Sequence, residues 1–382
     1  MKQTTAALLV ASVALATDMF VYGLAVPVLP VFALSLGASP ALVGALFAAY
    51  AGALTLVTPL VGIWVDRSGP RSAMLVGMSG LAAATLLFAF APGLPWLFLA
   101  RALQGLSAGV SWTAGLALIA ATHPVELRGR AMGTALASAA IGILLGPPLG
   151  GFLFERWGMR TPFLVAALVA ALDALARLIL IREVAHARNE FTLRPLLRDP
   201  RTWPVLRLTL IGAMLIAFLE PVLPLHLVET EAATPTAIGL IFGAAALMNS
   251  LSYPFAGRAA QRSSAIHVAS WGTRLGALAL CGVGFLPTLW TVGLAVSLVA
   301  VAAGLILTPT TVLVGEIAEA RDPPTYGAAY ALFNLAYAAG LAVAPLLAGA
   351  GTSAWGLPLT GALFGAALLA VSAVPFRASI EK

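Results

Sequence analysis

Runs of about twenty predominantly apolar residues follow one another along the whole of this 382-residue chain, and a helical run of that length crosses roughly 30 Å of hydrocarbon. Inside a bilayer the backbone must satisfy its own hydrogen bonds, so the runs are read as membrane-spanning α-helices. Charged residues make up only 9% of the chain and hydrophobic ones 60%, where soluble domains carry roughly 25% charge. The first run follows Lys2 and holds Asp18, Pro27 and Pro30; without a cleavable-looking end it is expected to be a retained helix, not a signal peptide. The net charge of +6 comes from basic residues dispersed among short loops, with no basic face for nucleic acid. Cys281 is the single cysteine, which rules out an internal disulfide or a cysteine-based metal cluster.

The runs place helices near 6–33, 40–64, 72–91, 95–121, 131–155 and 161–182, then 204–228, 235–257, 266–286, 289–314, 326–350 and 355–376. Loop charge alternates along them. One side receives Arg67, Arg71, Arg128, Arg130, Arg188, Arg194, Arg198, Arg201, Arg258, Arg262, Arg321, Arg377 and Lys382, and the other only Arg156 and Arg160. The positive-inside rule then places both termini and the 183–203 connection in the cytoplasm, which requires an even number of spans.

The two halves echo each other. Pro27-Val28-Leu29-Pro30 recurs as Pro221-Val222-Leu223-Pro224. Pro59, Gly62 and Arg67 match Pro254, Gly257 and Arg262. Gly129, Ala131, Gly142, Pro147 and Gly151 match Gly327, Ala329, Gly340, Pro345 and Gly349. The reading is a parallel duplication: a six-helix half at 1–182, a basic cytoplasmic linker at 183–203 and a second half at 204–382. That architecture is expected to place a substrate site between rocking halves.

Four motifs stand on this frame. After the second helix comes Gly62-Ile63-Trp64-Val65-Asp66-Arg67-Ser68-Gly69-Pro70-Arg71. The fourth holds Arg101-Ala102-Leu103-Gln104-Gly105, with Arg101, Gln104, Ala108 and Trp112 on one face. The fifth reads Gly142-x-x-x-Gly146-Pro147-Pro148-Leu149-Gly150-Gly151, and the first runs from Asp18 through Tyr22 to Pro27 and Pro30. Together they resemble the major facilitator superfamily over essentially the full length. That resemblance implies an all-α fold of twelve helices in two pseudo-symmetric six-helix halves. It makes Gly62, Asp66, Arg67, Gly69 and Arg71 a cytoplasmic conformational latch, with Gly62 permitting close helix approach. The stretch 142–151, with its Gly142, Gly146, Pro147, Gly150 and Gly151, is similar to the pattern of proton-driven antiporters. Asp18 with its prolines, and Phe218-Leu219-Glu220-Pro221, resemble the drug:proton antiporter branch that includes tetracycline exporters and vesicular amine transporters. Asn334 stands where that branch carries a membrane aspartate.

Physically, a carboxylate in a low-dielectric surrounding is costly to keep charged and can hold either a proton or a cation. Asp18, Glu220 and Arg101 are therefore the proton-coupling candidates, with Arg101 biasing whichever acid it approaches. Asp18, Tyr22, Gln104, Trp112, Glu220 and Asn334 are the substrate-binding candidates. Tyr253, Tyr330, Phe333 and Tyr337 are further aromatic candidates, and Asp173 with Arg177 is read as a structural pair one helical turn apart.

No catalytic centre is expected: the four histidines lie in or beside loops, and no Walker loop or paired His or Cys metal ligands occur. The expectation is a monomeric exporter of small, lipophilic, cationic compounds in exchange for protons, with the bilayer and a small molecule as partners and no cofactor beyond the coupling proton. Exporters of neutral solutes and a non-transporting receptor or scaffold are the alternatives. The preference for arginine over lysine and the lack of an Asn-x-Ser/Thr sequon favour a bacterial inner membrane.

Overall fold

The computed structural model describes residues 3–180, 194–321 and 326–373. Residues 183–193 of the expected linker at 183–203, together with Arg188, Arg377 and Lys382, lie outside the described residues, as do the side chains of Asp66, Arg128 and Arg194. Every regular element among the described residues is helical: α1 Gln3–Ala25, α2 Leu29–Ser35, α3 Pro40–Ser68, α4 Pro70–Ala89, α5 Leu94–Thr122, α6 Val125–Trp157, α7 Thr161–Leu180, α8 Arg194–Leu197, α9 Thr202–Phe218, α10 Leu223–Glu231, α11 Pro235–Arg262, α12 Ala265–Val283, α13 Leu289–Glu319 and α14 Tyr326–Ala373.

Ten stretches among them are long and apolar enough to cross a membrane. The last, Ala328–Ser372, has 45 residues, about 68 Å at 1.5 Å per residue and too long for one crossing. It breaks at Gly356, where φ is 76° and ψ 163°, a conformation that glycine alone adopts without strain. With its two parts counted separately, and with the 19-residue α12, which is less apolar than these stretches, the described residues hold the expected twelve long helical segments. Two expected histidine placements are corrected: His226 lies within α10 and His267 within α12.

The spans expected at 6–33 and 204–228 are each broken, and at matching places. α1 ends at Ala25 and α2 begins at Leu29, while α9 ends at Phe218 and α10 begins at Leu223. Proline has no N–H to donate and its ring clashes with the preceding turn, so Pro27 and Pro221 interrupt the ladder. Pro30 and Pro224 then sit in the first turn of the new helix, where a missing N–H costs nothing. The turn separating α6 from α7 holds Gly158 at φ 87°, 198 residues before Gly356. The same offset separates Gly142 from Gly340, so the duplication is visible in backbone geometry as well as in sequence.

The chain forms two compact units. The first comprises residues 1–38, 49–188 and 233–243, and the second 39–48, 189–232 and 244–382. In the first, α1 packs on α5, α6 and α7, and α4 on α5 and α7; in the second, α9 packs on α12, α13 and α14, and α12 on α13 and α14. Small residues carry these contacts, as expected where lipid tails already solvate larger apolar groups. A core of Ala7, Ala11, Ala14, Ala114, Ala135 and their neighbours fills the first unit.

The antiporter-like stretch of α6 is a packing surface. A Cβ at Gly142 would collide with the Ala16 carbonyl oxygen and one at Gly150 with that of Leu24, while one at Gly146 would stand 2.8 Å from Leu24 N and Phe20 O. Gly151 faces the Pro235 carbonyl, and the Pro147 carbonyl faces Gly239. The second unit repeats the last two contacts, with Gly349 on the Pro40 carbonyl and Gly44 on that of Pro345.

Candidate functional site

Intramembrane charge concentrates in the first unit. Asp18 lies two turns before the end of α1 with 1% of its surface exposed. Its Oδ2 accepts a hydrogen bond from Trp112 Nε1 of α5 at 2.6 Å, and Oδ1 is buried without a hydrogen-bond partner. Two expected site residues, distant in sequence, are thus in direct contact.

Arg101 is also buried, about two turns into α5. Its guanidinium lies 5.1 Å from the centre of the Tyr22 ring and 4.7 Å from that of Tyr50. Nη1 donates to Gln104 Oε1 at 3.2 Å, and Gln104 Nε2 donates to Thr85 Oγ1 of α4 at 3.0 Å. A desolvated cation on two tyrosine faces is held by the ring quadrupoles. The close approach of α3 that supplies Tyr50 depends on Gly105, where a Cβ would strike the Tyr50 carbonyl.

The Asp173–Arg177 pair is present and wholly internal. Arg177 Nη2 donates to Asp173 Oδ2 at 2.5 Å, and Nη1 reaches Ser111 Oγ at 3.3 Å and the Met74 carbonyl at 3.4 Å. Ser111 precedes Trp112 in α5, so the pair braces the same turn that holds Asp18. Tyr50, Thr85 and Ser111 escaped the sequence reading. Tyr50 had a signal, a polar aromatic ring among the apolar and small residues of its span, whereas the two hydroxyl residues had none.

The second unit is sparser. Glu220 is 5% exposed and lies in the turn between α9 and α10, not within a helix. Tyr253 donates to Asn249 Oδ1 at 2.5 Å, and Asn249 Nδ2 donates to the Ala300 carbonyl at 2.6 Å. Asn334 is exposed on α14, Tyr330 reaches the Thr311 carbonyl at 3.4 Å, and Phe333 packs on an apolar cluster.

The latch residues divide. Gly69, at φ 76°, caps α4 before Pro70, so its conformation requires glycine. Arg67 is exposed and Arg71 half-buried. The expected close approach at Gly62 is corrected: a Cβ there would meet nothing within 4 Å. The matching Gly257 is nearly as open, with one methyl at 4.0 Å.

A duplicated bundle of apolar helices with buried charges defines a multi-pass helical membrane protein. The model of the Major Facilitator Superfamily matches residues 11–231 and 205–379, and the chain belongs to that family. It is 33% identical over 322 residues to the vesicular acetylcholine transporter of Rattus norvegicus, covering 80% of this chain and 60% of that protein. Against the synaptic vesicular amine transporter of Mus musculus it is 30% identical over 320 residues, covering 83% and 62%. The matches thus span about three-fifths of these relatives' length. The fold is that of a bacterial homolog of the human lysosomal transporter Spinster, with TM-score 0.82, 14% identity and coverage of 98% of this chain and 96% of that one.

Proposed function

We propose that the protein is a proton-coupled antiporter that exports small lipophilic cations by alternating access, built from six-helix halves at 1–182 and 204–382. The observation that carries this reading is Asp18: a carboxyl group inside a membrane span, bonded through one oxygen to an indole, with its other oxygen buried and unpartnered. An intramembrane acid without an ion-pair partner is costly unless it binds a proton or a cation in turn. Glu220 is a second buried acid, set in a helix break, and Arg101 with Gln104 and Tyr22 forms a fixed positive wall. The relatives named for acetylcholine and amines, both cationic, support a cationic cargo. Trp112 orients Asp18, while Tyr22 and Asn334 contribute to substrate contact. Asp66, Arg67, Gly69 and Arg71 act as the latch on the cytoplasmic side of a bacterial inner membrane, with both termini on that side and the protein working as a monomer.

The test is reconstitution in liposomes with an imposed pH gradient and a trapped pH dye. Acetylcholine, dopamine and ethidium are expected to drive proton movement, and Asp18→Asn and Glu220→Gln each to reduce it to the level of protein-free vesicles while leaving the protein folded. Movement with neutral sugars only, or full coupling in the double variant, refutes the reading.

A further inference from the structure

Helix α12 carries a charge that the transport reading leaves unused. Arg274 is the tenth of its 19 residues, so its Cα lies about 14 Å from the start of the helix at 1.5 Å per residue. The buried face of α12, which includes Val268, Ala269, Gly272, Gly276, Ala277 and Leu280, packs on neighbouring helices. Gly272 lies against Ala302 and Ile306, and Gly276 against Leu215. The opposite face is an exposed stripe. Trp271 and Leu278 on it are 56% and 62% exposed, Phe285 in the turn just past its end is 64% exposed, and His267 is exposed one turn before Trp271.

Along this stripe the chemistry changes. Leu278 and Phe285 are what acyl chains require. Toward the N-terminal end stand Arg274, Trp271 and His267, joined as a ladder: the guanidinium lies 5.2 Å from the centre of the Trp271 ring, and Trp271 Nε1 donates to His267 Nε2 at 2.9 Å. Helical side chains lean toward the N-terminus, so the cation is drawn over the indole toward the N-terminal end of the helix. Among the described residues Trp271 is its partner, and no carboxylate pairs with it. An unpaired arginine at this depth is expensive unless an anion reaches it.

We propose that the outer face of α12 binds an anionic phospholipid: its headgroup phosphate lies on Arg274, beside Trp271 and His267, and its acyl chains run along Leu278 and Phe285. The occupant is a lipid and not free phosphate, because the cation heads an apolar track and Trp271 has the amphipathic character of an interfacial ring. The site is independent of what the protein carries.

The experiment uses the full chain in phosphatidylcholine vesicles doped with brominated phosphatidylglycerol or, separately, brominated phosphatidylcholine. Trp271 emission is isolated by subtracting the Trp271→Phe variant. One basic residue at an anionic surface corresponds to about five-fold enrichment of the anionic lipid, so brominated phosphatidylglycerol should quench Trp271 at about one-fifth the concentration needed for the zwitterionic lipid. Arg274→Gln should abolish that preference and Arg274→Lys should retain part of it, with unchanged elution and helicity showing that each variant is folded. Equal quenching by the two lipids, a preference that survives Arg274→Gln, or its removal by millimolar inorganic phosphate would overturn the assignment.

Discussion

The contact of α1 with α6 in the first unit and that of α9 with α14 in the second are copies of one design, and they differ at a few small residues. Gly142 on the Ala16 carbonyl corresponds to Gly340 on the Leu210 carbonyl, so the register is the same. Where the first copy has Gly23, Gly146 and Gly150, however, the second has Ala217, Ala344 and Ala348, all fully buried. The first copy therefore brings two backbones into direct contact where the second inserts a methyl. Their acids differ in parallel. Asp18 lies inside an intact helix clamped against α6 and is bonded to α5, whereas Glu220 lies in a helix break where backbone hydrogen bonds are already missing. A duplicated scaffold has thus been divided into a tightly packed, charge-bearing copy and a looser one, and the difference implies that the first unit tolerates less disturbance.

The sharpest way to break this contrast is through the buried pair that, among the described residues, only the first unit has. Asp173 corresponds to Val371 in α14 by the same offset. Arg177→Met alone leaves Asp173 charged and unpaired in the interior, and should lower unfolding stability in detergent by about 3–5 kcal/mol. Arg177→Met combined with Asp173→Leu should recover most of that loss, because no buried charge is then left over. A single variant as stable as the parent would mean that the pair is not internal.

A smaller effect should come from exchanging the packing residues. Gly150→Ala copies Ala348 into the first unit, but its methyl would meet the Leu24 carbonyl; overpacking of this kind costs about 1–3 kcal/mol. The reverse change, Ala348→Gly, removes one methyl from the looser copy and adds backbone freedom, costing about 1 kcal/mol or less. Equal losses in thermal unfolding would show that the two contacts are equally tight.

This asymmetry also marks how far the sequence could be read. Helix number and the duplication were legible because proline, glycine and charged loops punctuate apolar runs whose length the bilayer dictates. The helix breaks were legible only as prolines: Pro27 and Pro30 were visible, but that α2 starts afresh at Leu29 depends on tertiary support. Asp18 and Trp112 were candidates separately, yet their contact joins residues 94 positions apart, which periodicity within one helix cannot reveal. Gly62 misled because a glycine in a loop-proximal motif has the same letter whether it meets a neighbouring helix or open space. Arg274 stands in an apolar run, but its place on the face of α12 opposite the packed one emerged only once that buried face was known.

The smallest expected effect tests where each unit keeps its charges. Among the described residues, the ion pairs of the second unit are partly exposed. Asp199 accepts from Arg201 through the backbone N–H at 2.9 Å and the side chain at 3.0 and 3.2 Å, and from Arg321 at 2.8 Å, which ties α8 and the start of α9 to the end of α13. The Arg201 hydrogen bond, helped by the nearby arginine charges, holds the Asp199 carboxyl below its usual value despite partial burial. A carboxyl lowered on folding stabilises the fold above its unfolded value of about 3.9, and that contribution is lost as pH falls through the lower, folded value. Stability should therefore be level in this respect from pH 8 to 5 and decline below about pH 4, and Asp199→Asn should remove that part of the decline. Because both arginine side chains are about a third exposed, the contribution at neutral pH should be about 1 kcal/mol or less. It should also shrink in 1 M salt, where the screening length is about 3 Å. The Asp173–Arg177 pair, shielded from ions, should not respond to salt. If salt weakens the parent and Asp199→Asn equally, the edge network is not the source of the sensitivity, and the division of buried ion pairing to one unit and partly exposed ion pairing to the other fails.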